Sequence, residues 1–180
     1  MFLITLLLVM TACAPKKRTI QIDGQDPILL AKSFNTSLVT RYAGKLSGEW
    51  AEAHFEMISI GIDQNSDMYK YLYTILSEYT TESRAKRMYV MIFANEHGME
   101  ITMDTATNFI TTGTYVEYTD LIEEAISGTP KSEEYAQRDE IGNLILSAYA
   151  AIYDTKGLYV AVLGLDYDTP EFEEFPHLIK

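Results

Sequence analysis

Apolar residues recur every three or four positions between residues 27 and 60, and this spacing predicts one helical stripe of roughly thirty residues. Asp26 and Pro27 stand at its start, where an aspartate can cap the helix and the missing proline N–H costs nothing. Gly44 and Gly48 lie inside the stripe, where glycine lowers helix stability. The stripe consists of Leu30, Phe34, Leu38, Tyr42, Leu46, Trp50, Ala53, Met57 and Ile60.

The next two segments differ in period. "NSDMYKYLYTILSEY" predicts a second helix capped by Ser66 or Asp67, because its apolar residues share one helical face. "RMYVMIFANEHGMEITMD" then changes to β-rich runs at 88–94 and 99–103 around Gly98, which indicates a hairpin.

A short helix and a second hairpin complete the pattern. "TDLIEEAISGTP" predicts a helix that Asp120 caps and that Gly128 and Pro130 end. A polar connection, "KSEEYAQRDEIG", leads to the final hairpin within "YAAIYDTKGLYVAVLGLDYD". Because strands adjacent in sequence pair most simply as antiparallel neighbours, we predict an α+β domain with one antiparallel sheet and the long helix on one face.

The turn of the final hairpin sets a register for its strands. If Asp154 and Leu158 flank a three-residue turn, with Gly157 at the positive φ of a bulge, each strand position has a defined partner. The predicted pairs are Ile152 with Val160, Ala150 with Val162, Ala148 with Gly164 and Leu146 with Asp166. Both faces of this hairpin are apolar, so both must be covered.

Asp166 is a carboxylate in a strand that is otherwise apolar. It shares a face with Val162 and Gly164, and the glycine is expected to leave space above the sheet beside it. A buried carboxylate needs a partner, so Asp166 either accepts backbone hydrogen bonds at the strand end, pairs with an arginine such as Arg138, or awaits a cation.

Composition and charge narrow the class of protein. The 180 residues are 47% hydrophobic, enough for one domain with a core, which we place at residues 26–170 with a tail at 171–180. The formal net charge of −12 excludes nucleic acid as a partner, because phosphates would be repelled. A single cysteine and three scattered histidines predict no metal site, and no cofactor is expected.

The N-terminus predicts export. "MFLITLLLVMTAC" is apolar, too short to span a bilayer, and ends on small residues before Cys13. It resembles a bacterial lipoprotein signal peptide at 1–12, with Cys13 lipidated and a polar tether at 13–25, "KKR" included. The alternative is an ordinary buried cysteine after an apolar strand.

A longer resemblance covers about residues 25–168. "YVEYTDLIEEAISGTP" and "RDEIGNLILSAYAAIYDTKGLYVAVLGLDYD" resemble Cache sensor domains, the extracellular PAS-like domains of bacterial chemoreceptors and sensor kinases. The matching positions are Tyr118, Gly128 with Pro130, Asp139 before Gly142, residues 147–157 and residues 162–166.

The resemblance implies a PAS-like sheet with a ligand pocket on the face away from the long helix. Asp139 and Asp166 match positions where amino-acid-binding relatives hold the ligand's ammonium group. The Arg-x-Trp-Tyr cluster of those relatives is missing, so no residue for a ligand carboxylate is implied. Tyr115, Tyr118 and Tyr149 are expected to supply walls or cation–π contacts, which favours an amine or a small neutral ligand.

The leading functional hypothesis is therefore an exported, lipid-anchored sensor domain for an amine, an amino acid or a small organic ligand. It would pass its ligand state to a membrane receptor partner, since no output domain is present in the sequence. The alternatives are a ligand-free interaction module, self-associating through the long N-terminal helix or binding a membrane partner, and the remnant of a truncated receptor. An enzyme is not expected, because no nucleophile elbow, phosphate loop or metal cluster occurs.

Overall fold

The computed structural model describes residues 26–95, 98–106, 113–139 and 141–180. The predicted signal peptide, the tether and Cys13 lie outside these residues. Within them are four α-helices: α1 Pro27–Leu46, α2 Glu49–Ile60, α3 Asp67–Ser83 and α4 Asp120–Ile126. Seven strands are β1 Arg87–Asn95, β2 Gly98–Asp104, β3 Tyr115–Glu117, β4 Lys131–Ser132, β5 Gln137–Arg138, β6 Leu144–Tyr153 and β7 Tyr159–Asp168.

The strands form one antiparallel sheet in the order β3-β2-β1-β7-β6-β4, with β5 also paired to β6. The α+β class with a central antiparallel sheet is thereby confirmed. Both predicted hairpins, β1–β2 and β6–β7, are present, and the final hairpin joins the first one through the β1–β7 pair. The segment predicted as a polar connection contributes the two short strands β4 and β5.

The helix predicted over residues 27–60 is two helices. Gly48 has φ 88° and ψ −129°, a backbone conformation that glycine adopts and other residues avoid, and it separates α1 from α2. The break is tied to the end of β6, because the Gly48 N–H donates to the Tyr153 carbonyl at 2.7 Å and the Tyr153 N–H donates to Ser47 Oγ at 3.1 Å. The interruption is therefore a contact point between helix and sheet.

The register of the final hairpin differs from the prediction by one residue. The turn is as predicted, since Gly157 has φ 78° and the Asp154 N–H donates to the Leu158 carbonyl at 2.9 Å. A bulge between Ile152 and Tyr153 then shifts the pairing. The observed pairs include Ile152 with Ala161, Ala151 with Val162, Ala150 with Leu163, Ala148 with Leu165 and Leu146 with Tyr167.

The shift changes which residues lie beside Asp166. Ser147 is its partner on β6, in place of the predicted Leu146, and Tyr149 is the partner of Gly164. Because residues opposite each other in an antiparallel pair share a face, Ser147 and Tyr149 lie on the face of Asp166.

Each face of the sheet is covered by its own helices. Residues of α1, α2 and α3 pack with Val90, Met103, Leu163 and Leu165 in the larger core. A smaller apolar cluster lies under α4 on the opposite face and consists of Tyr89, Met91, Met99, Ile101, Ile122, Ala125, Tyr149 and Val162. In the described part of the chain, no helix has the length and apolar character needed to cross a membrane.

The C-terminal residues pack onto the end of the sheet. Two short 3-10 helices, Pro170–Glu174 and Pro176–Leu178, follow β7. Phe172, in the first of these helices, is fully buried and packs in a cluster with Ile28 of α1 and Leu146 of β6. This third cluster joins the start of α1 to the end of the chain.

Candidate functional site

Asp166 is buried on the sheet face under α4 and is held by side chains from two neighbouring strands. Ser147 Oγ donates to Asp166 Oδ1 at 2.7 Å, and the Tyr89 hydroxyl donates to the same oxygen at 3.4 Å. Arg87, its direct partner on β1, places Nη1 at 3.5 Å from Asp166 Oδ2. The arginine that pairs with Asp166 is therefore Arg87, whereas Arg138 pairs with Glu173 at 3.0 Å.

Arg87 also contacts a second buried carboxylate. Its Nε lies 2.9 Å from Asp104 Oδ1, and the guanidinium carbon lies 4.3 Å from the centre of the Tyr89 ring. Burial raises the pKa of Asp166 and of Asp104, although Arg87 acts on both in the opposite direction. When both carboxyl groups are ionised, two negative charges share one guanidinium, which leaves one charge uncompensated within the group of Arg87, Asp104 and Asp166.

The space expected above Gly164 is filled. A Cβ atom at position 164 would overlap the ring of Tyr89, which lies directly over this glycine. Gly164 is thus needed for the close approach of Tyr89, and the prediction of open space there is wrong. The Tyr89 ring belongs to the apolar cluster under α4 and its hydroxyl donates to Asp166, so Tyr89 contacts both the cluster and the charged group.

The three predicted tyrosines have different environments. Tyr149 is buried beside Tyr89 in the cluster under α4, and its hydroxyl donates to Glu133 Oε1 at 3.4 Å. Burial raises the pKa of Tyr149 well above its ordinary value, so the hydroxyl stays neutral. Tyr118 packs against the same cluster with its ring 5.3 Å from Phe93, while Tyr115 on β3 is 64% exposed. Of the three, Tyr149 lies nearest the Asp166 group in the sheet, across from Gly164.

Asp139 has a structural role in a tight turn. Its Oδ1 accepts from the backbone N–H groups of Ile141 and Asn143 at 3.0 and 2.8 Å, and its other oxygen pairs with Lys86. Asp154 makes the same two backbone contacts in the final hairpin, to Lys156 and Leu158, both at 2.8 Å.

The two turns share the pattern D-x-x-G, with Gly142 and Gly157 both at positive φ, 88° and 78°. Turns are commonly stabilised by an aspartate side chain that accepts hydrogen bonds from the backbone N–H groups two and four residues later. The D-x-x-G pattern at Asp139 therefore already indicated such a turn in the sequence. Asp139 contacts its own turn and Lys86. Asp166 contacts Arg87, Tyr89 and Ser147, so the two predicted ligand carboxylates have different side-chain partners.

Sequence reasoning missed four residues of the Asp166 group: Arg87, Tyr89, Asp104 and Ser147. Arg87 and Tyr89 are two apart in β1, a spacing that places both on one face of a strand. Asp104 ends β2 opposite Tyr89 in the β1–β2 register. Their approach to Asp166 depends on the pairing of β1 with β7, which lie more than 60 residues apart in the chain.

An open depression of about 510 Å³ lies elsewhere, along α3. It is lined by Tyr73, Thr74, Ser77, Glu78, Thr81 and Glu82. Helix α3 packs on the sheet face opposite the Asp166 group, so this depression is separate from the candidate site.

No protein-family model and no curated protein matches this chain. Several solved structures have a similar fold. An extracellular ligand binding receptor from Desulfohalobium retbaense DSM5692 shares 14% identity over 81% of this chain and 24% of its own, with a TM-score of 0.50. At this identity the likeness shows the fold alone, and it agrees with the predicted α+β, PAS-like arrangement.

Two further structures are sensory domains of chemoreceptors. The ligand binding domain of the Pseudomonas aeruginosa PAO1 amino acid chemoreceptor PctC, in complex with GABA, is 13% identical and has a TM-score of 0.48; the match covers 82% of this chain and 59% of that one. The sensory domain of the Campylobacter jejuni chemoreceptor Tlp3 is 14% identical with a TM-score of 0.43, covering 79% and 59%. This chain therefore spans less than two thirds of the length of each of these three structures.

Proposed function

We propose that this chain is a sensory domain that binds a small molecule bearing a cationic nitrogen, at the Asp166 end of the sheet face under α4. The observation that carries the proposal is the buried group of two carboxylates, Asp104 and Asp166, around the single guanidinium of Arg87. Buried carboxylates in excess of their cations are costly to ionise, and a ligand cation that enters the group relieves that cost.

The surroundings suit an ammonium group. Ser147 and Tyr89 donate hydrogen bonds to Asp166 and hold its carboxylate in one orientation. The Tyr89 ring already lies beside a cation, with the Arg87 guanidinium carbon 4.3 Å from its centre, and aromatic rings attract cations through their π-electrons. Tyr149 is buried on the same sheet face, opposite Gly164. A charge-assisted hydrogen bond from an ammonium to Asp166 is the contact expected to contribute most to binding.

A free amine fits this group better than an amino acid. The two cations near Asp166 in the described residues, Lys86 and Arg87, are each paired with two aspartates. Neither is therefore available to a ligand carboxylate without losing an existing ion pair, which favours a ligand whose other end is neutral.

Replacing Asp166 by asparagine tests the ligand site. Asp166→Asn keeps the size of the side chain and an oxygen for Ser147 but removes the charge that would hold an ammonium. A charge-assisted hydrogen bond contributes about 1.5–3 kcal/mol, so affinity for an amine is expected to fall about tenfold to a hundredfold. Isothermal titration calorimetry with monoamines, amino acids and organic acids measures this change.

The matched control is Asp168→Asn, two residues further along the same strand face, where the side chain is 58% exposed. This variant removes the same charge from the same strand, and affinity is expected to change by about twofold or less because exposed ion pairs contribute little. Equal losses in the two variants, or unchanged affinity in Asp166→Asn, would remove Asp166 from the binding site.

The proposal extends to location and partner. We propose that the domain is exported, anchored through a lipid on Cys13, and reports its ligand state to a membrane receptor. The support for export and anchoring is the apolar leader followed at once by a lone cysteine and a polar stretch.

A second candidate function is an interaction module that acts through α1 and α2. The observation that favours it is a set of large apolar side chains left exposed on these helices: Leu29, Phe34, Phe55 and Ile60, at 67%, 49%, 62% and 73%. Large apolar side chains exposed on a surface are candidate contacts for a partner protein. The filled space over Gly164 agrees with this alternative as well, since it narrows the room for a ligand there.

A further inference from the structure

Arg87 is shared unequally between its two carboxylates. Its Nε lies 2.9 Å from Asp104 Oδ1, whereas its Nη1 lies 3.5 Å from Asp166 Oδ2. Both carboxylate side chains are almost completely buried, with 3% and 5% of their surface exposed. Hydrogen bonds to charged groups are strongest near 2.7–2.9 Å, so Asp104 is the main partner of Arg87 and Asp166 the weaker one.

Strand pairing places Arg87 between the two carboxylates. Arg87 lies directly opposite Asp166 in the β1–β7 pair, and Tyr89 lies opposite Asp104 in the β1–β2 pair. The guanidinium leans over the Tyr89 ring, 4.3 Å from its centre, toward Asp104. The cation is thus drawn away from the carboxylate that it directly faces across the strands.

The group retains unused hydrogen-bonding capacity. Arg87 Nη2 and Asp104 Oδ2 are buried and have no hydrogen-bond partner among the described residues. A fully satisfied two-member ion pair would use both carboxylate oxygens in a bidentate contact. Asp104 instead uses Oδ1 for Arg87 Nε and for the Ala106 N–H, the latter at 2.9 Å.

We propose that Asp104 is a positioning residue that holds Arg87 off Asp166 and so leaves the charge of Asp166 available to a singly charged cationic ligand. This inference rests on the proposed function. Asp104 would control ligand binding through Arg87, without itself contacting the ligand. Two carboxylates and one guanidinium leave one negative charge, which matches one ammonium group and disfavours a doubly charged ligand.

The positioning can be measured without any ligand. A pH titration of the Asp166 side-chain carbon by NMR, on the full chain, reports the pKa of that carboxyl directly. In Asp104→Asn the guanidinium is free to move onto Asp166, so the pKa of Asp166 is expected to fall. The asparagine keeps the oxygen that accepts from Ala106, which preserves the end of β2.

Direct repulsion between the two carboxylates needs a separate control, because Asp104 by itself raises the pKa of Asp166. The control is a double-mutant cycle with Arg87→Gln, which removes the cation. The fall in the Asp166 pKa on Asp104→Asn is expected to be larger with Arg87 present than in the Arg87→Gln background. Equal falls in the two backgrounds would overturn the positioning role, since repulsion alone would account for them.

The ligand test uses propylamine and 1,3-diaminopropane as probes in calorimetry. If Arg87 moves onto Asp166, propylamine affinity is expected to drop about tenfold in Asp104→Asn, the effect of losing roughly one charge-assisted contact. Propylamine affinity that is unchanged in Asp104→Asn contradicts the inference. The wild-type protein could bind neither probe while Asp104→Asn still lowers the Asp166 pKa more with Arg87 present than in the Arg87→Gln background. In that case the proposed function fails, but the positioning of Arg87 by Asp104 stands.

Discussion

His54 is a fully buried histidine on α2. Its Nε2 lies 2.9 Å from Thr102 Oγ1, its ring stacks on Trp50 with centres 5.0 Å apart, and its Nδ1 has no hydrogen-bond partner in the described part of the chain. Burial lowers the pKa of His54 to about 4. The imidazole is therefore neutral in the folded protein at neutral pH.

This burial predicts acid sensitivity. The pKa of His54 is about 4 in the folded state and about 6.5 when unfolded, so the unfolded chain binds the extra proton between these values. The contribution to stability is complete above pH 6.5 and is lost as pH falls, by about 3 kcal/mol at pH 4. Urea unfolding of the wild type and of His54→Asn across this pH range measures the difference in their free energies of unfolding, because an asparagine at position 54 does not titrate. Parallel pH profiles in the two proteins would show that His54 does not titrate as stated.

At the level of single residues, Asp166 shows what a sequence pattern can and cannot supply. Its place in an apolar strand indicated a buried carboxylate in need of a partner, and the structure supplies Arg87, Tyr89 and Ser147. Arg87 is 79 positions away in the chain, so no local pattern could name it in place of Arg138. Asp139 shows the converse: it was predicted as a ligand-binding residue, whereas the D-x-x-G turn pattern around it is local and would have been sufficient to predict its backbone contacts.

At the level of elements, the break between α1 and α2 depends on one glycine. Gly44 and Gly48 both lie in the predicted stripe, but only Gly48 has a positive φ. Local propensity lowers helix stability equally at both positions, and it is the contact of Gly48 with Tyr153 of β6 that selects the site of the break.

Replacing each of these two glycines by alanine is expected to change stability in opposite directions. Gly48→Ala places a side chain at φ 88°, and such backbone strain is expected to destabilise the fold by about 1–3 kcal/mol. Gly44→Ala lies inside α1 with no atom within 4 Å of the added carbon, and it is expected to stabilise the fold by about 0.5–1 kcal/mol. Denaturant unfolding of both variants measures the two changes. Effects of the same sign would mean that the helix break does not depend on the Gly48 conformation.

At the level of the whole molecule, the sheet is covered by three helices on one face and by α4 on the other. Helices α1 and α2 keep large apolar side chains on their outer surface, among them Phe55 and Ile60. If the domain self-associates through these helices, this surface becomes buried between two copies.

Self-association through this surface is tested with Phe55→Glu and Ile60→Glu together. Sedimentation equilibrium of the wild type is expected to show a dimer whose dissociation constant rises at least about tenfold in the double variant, because a buried large apolar side chain contributes about 1.5–3 kcal/mol. Leu158→Glu, an equally exposed apolar position at 62% in the turn of the final hairpin, is the control and leaves the dimer unchanged. A wild-type protein that stays monomeric at all concentrations rules out self-association by this route.

The sequence by itself determined the order of the two hairpins and of the helices α3 and α4 around them, the α+β class, the turn at Asp154–Gly157 and the presence of a carboxylate on an otherwise apolar strand. These features depend on residues close together in the chain, whose spacing sets period, capping and turn geometry. Tertiary structure alone decided the bulge at Ile152, the Tyr89 ring over Gly164 and the group of Arg87, Asp104 and Asp166. A one-residue shift in register exchanges the faces of a strand, and register is set by packing between segments distant in sequence.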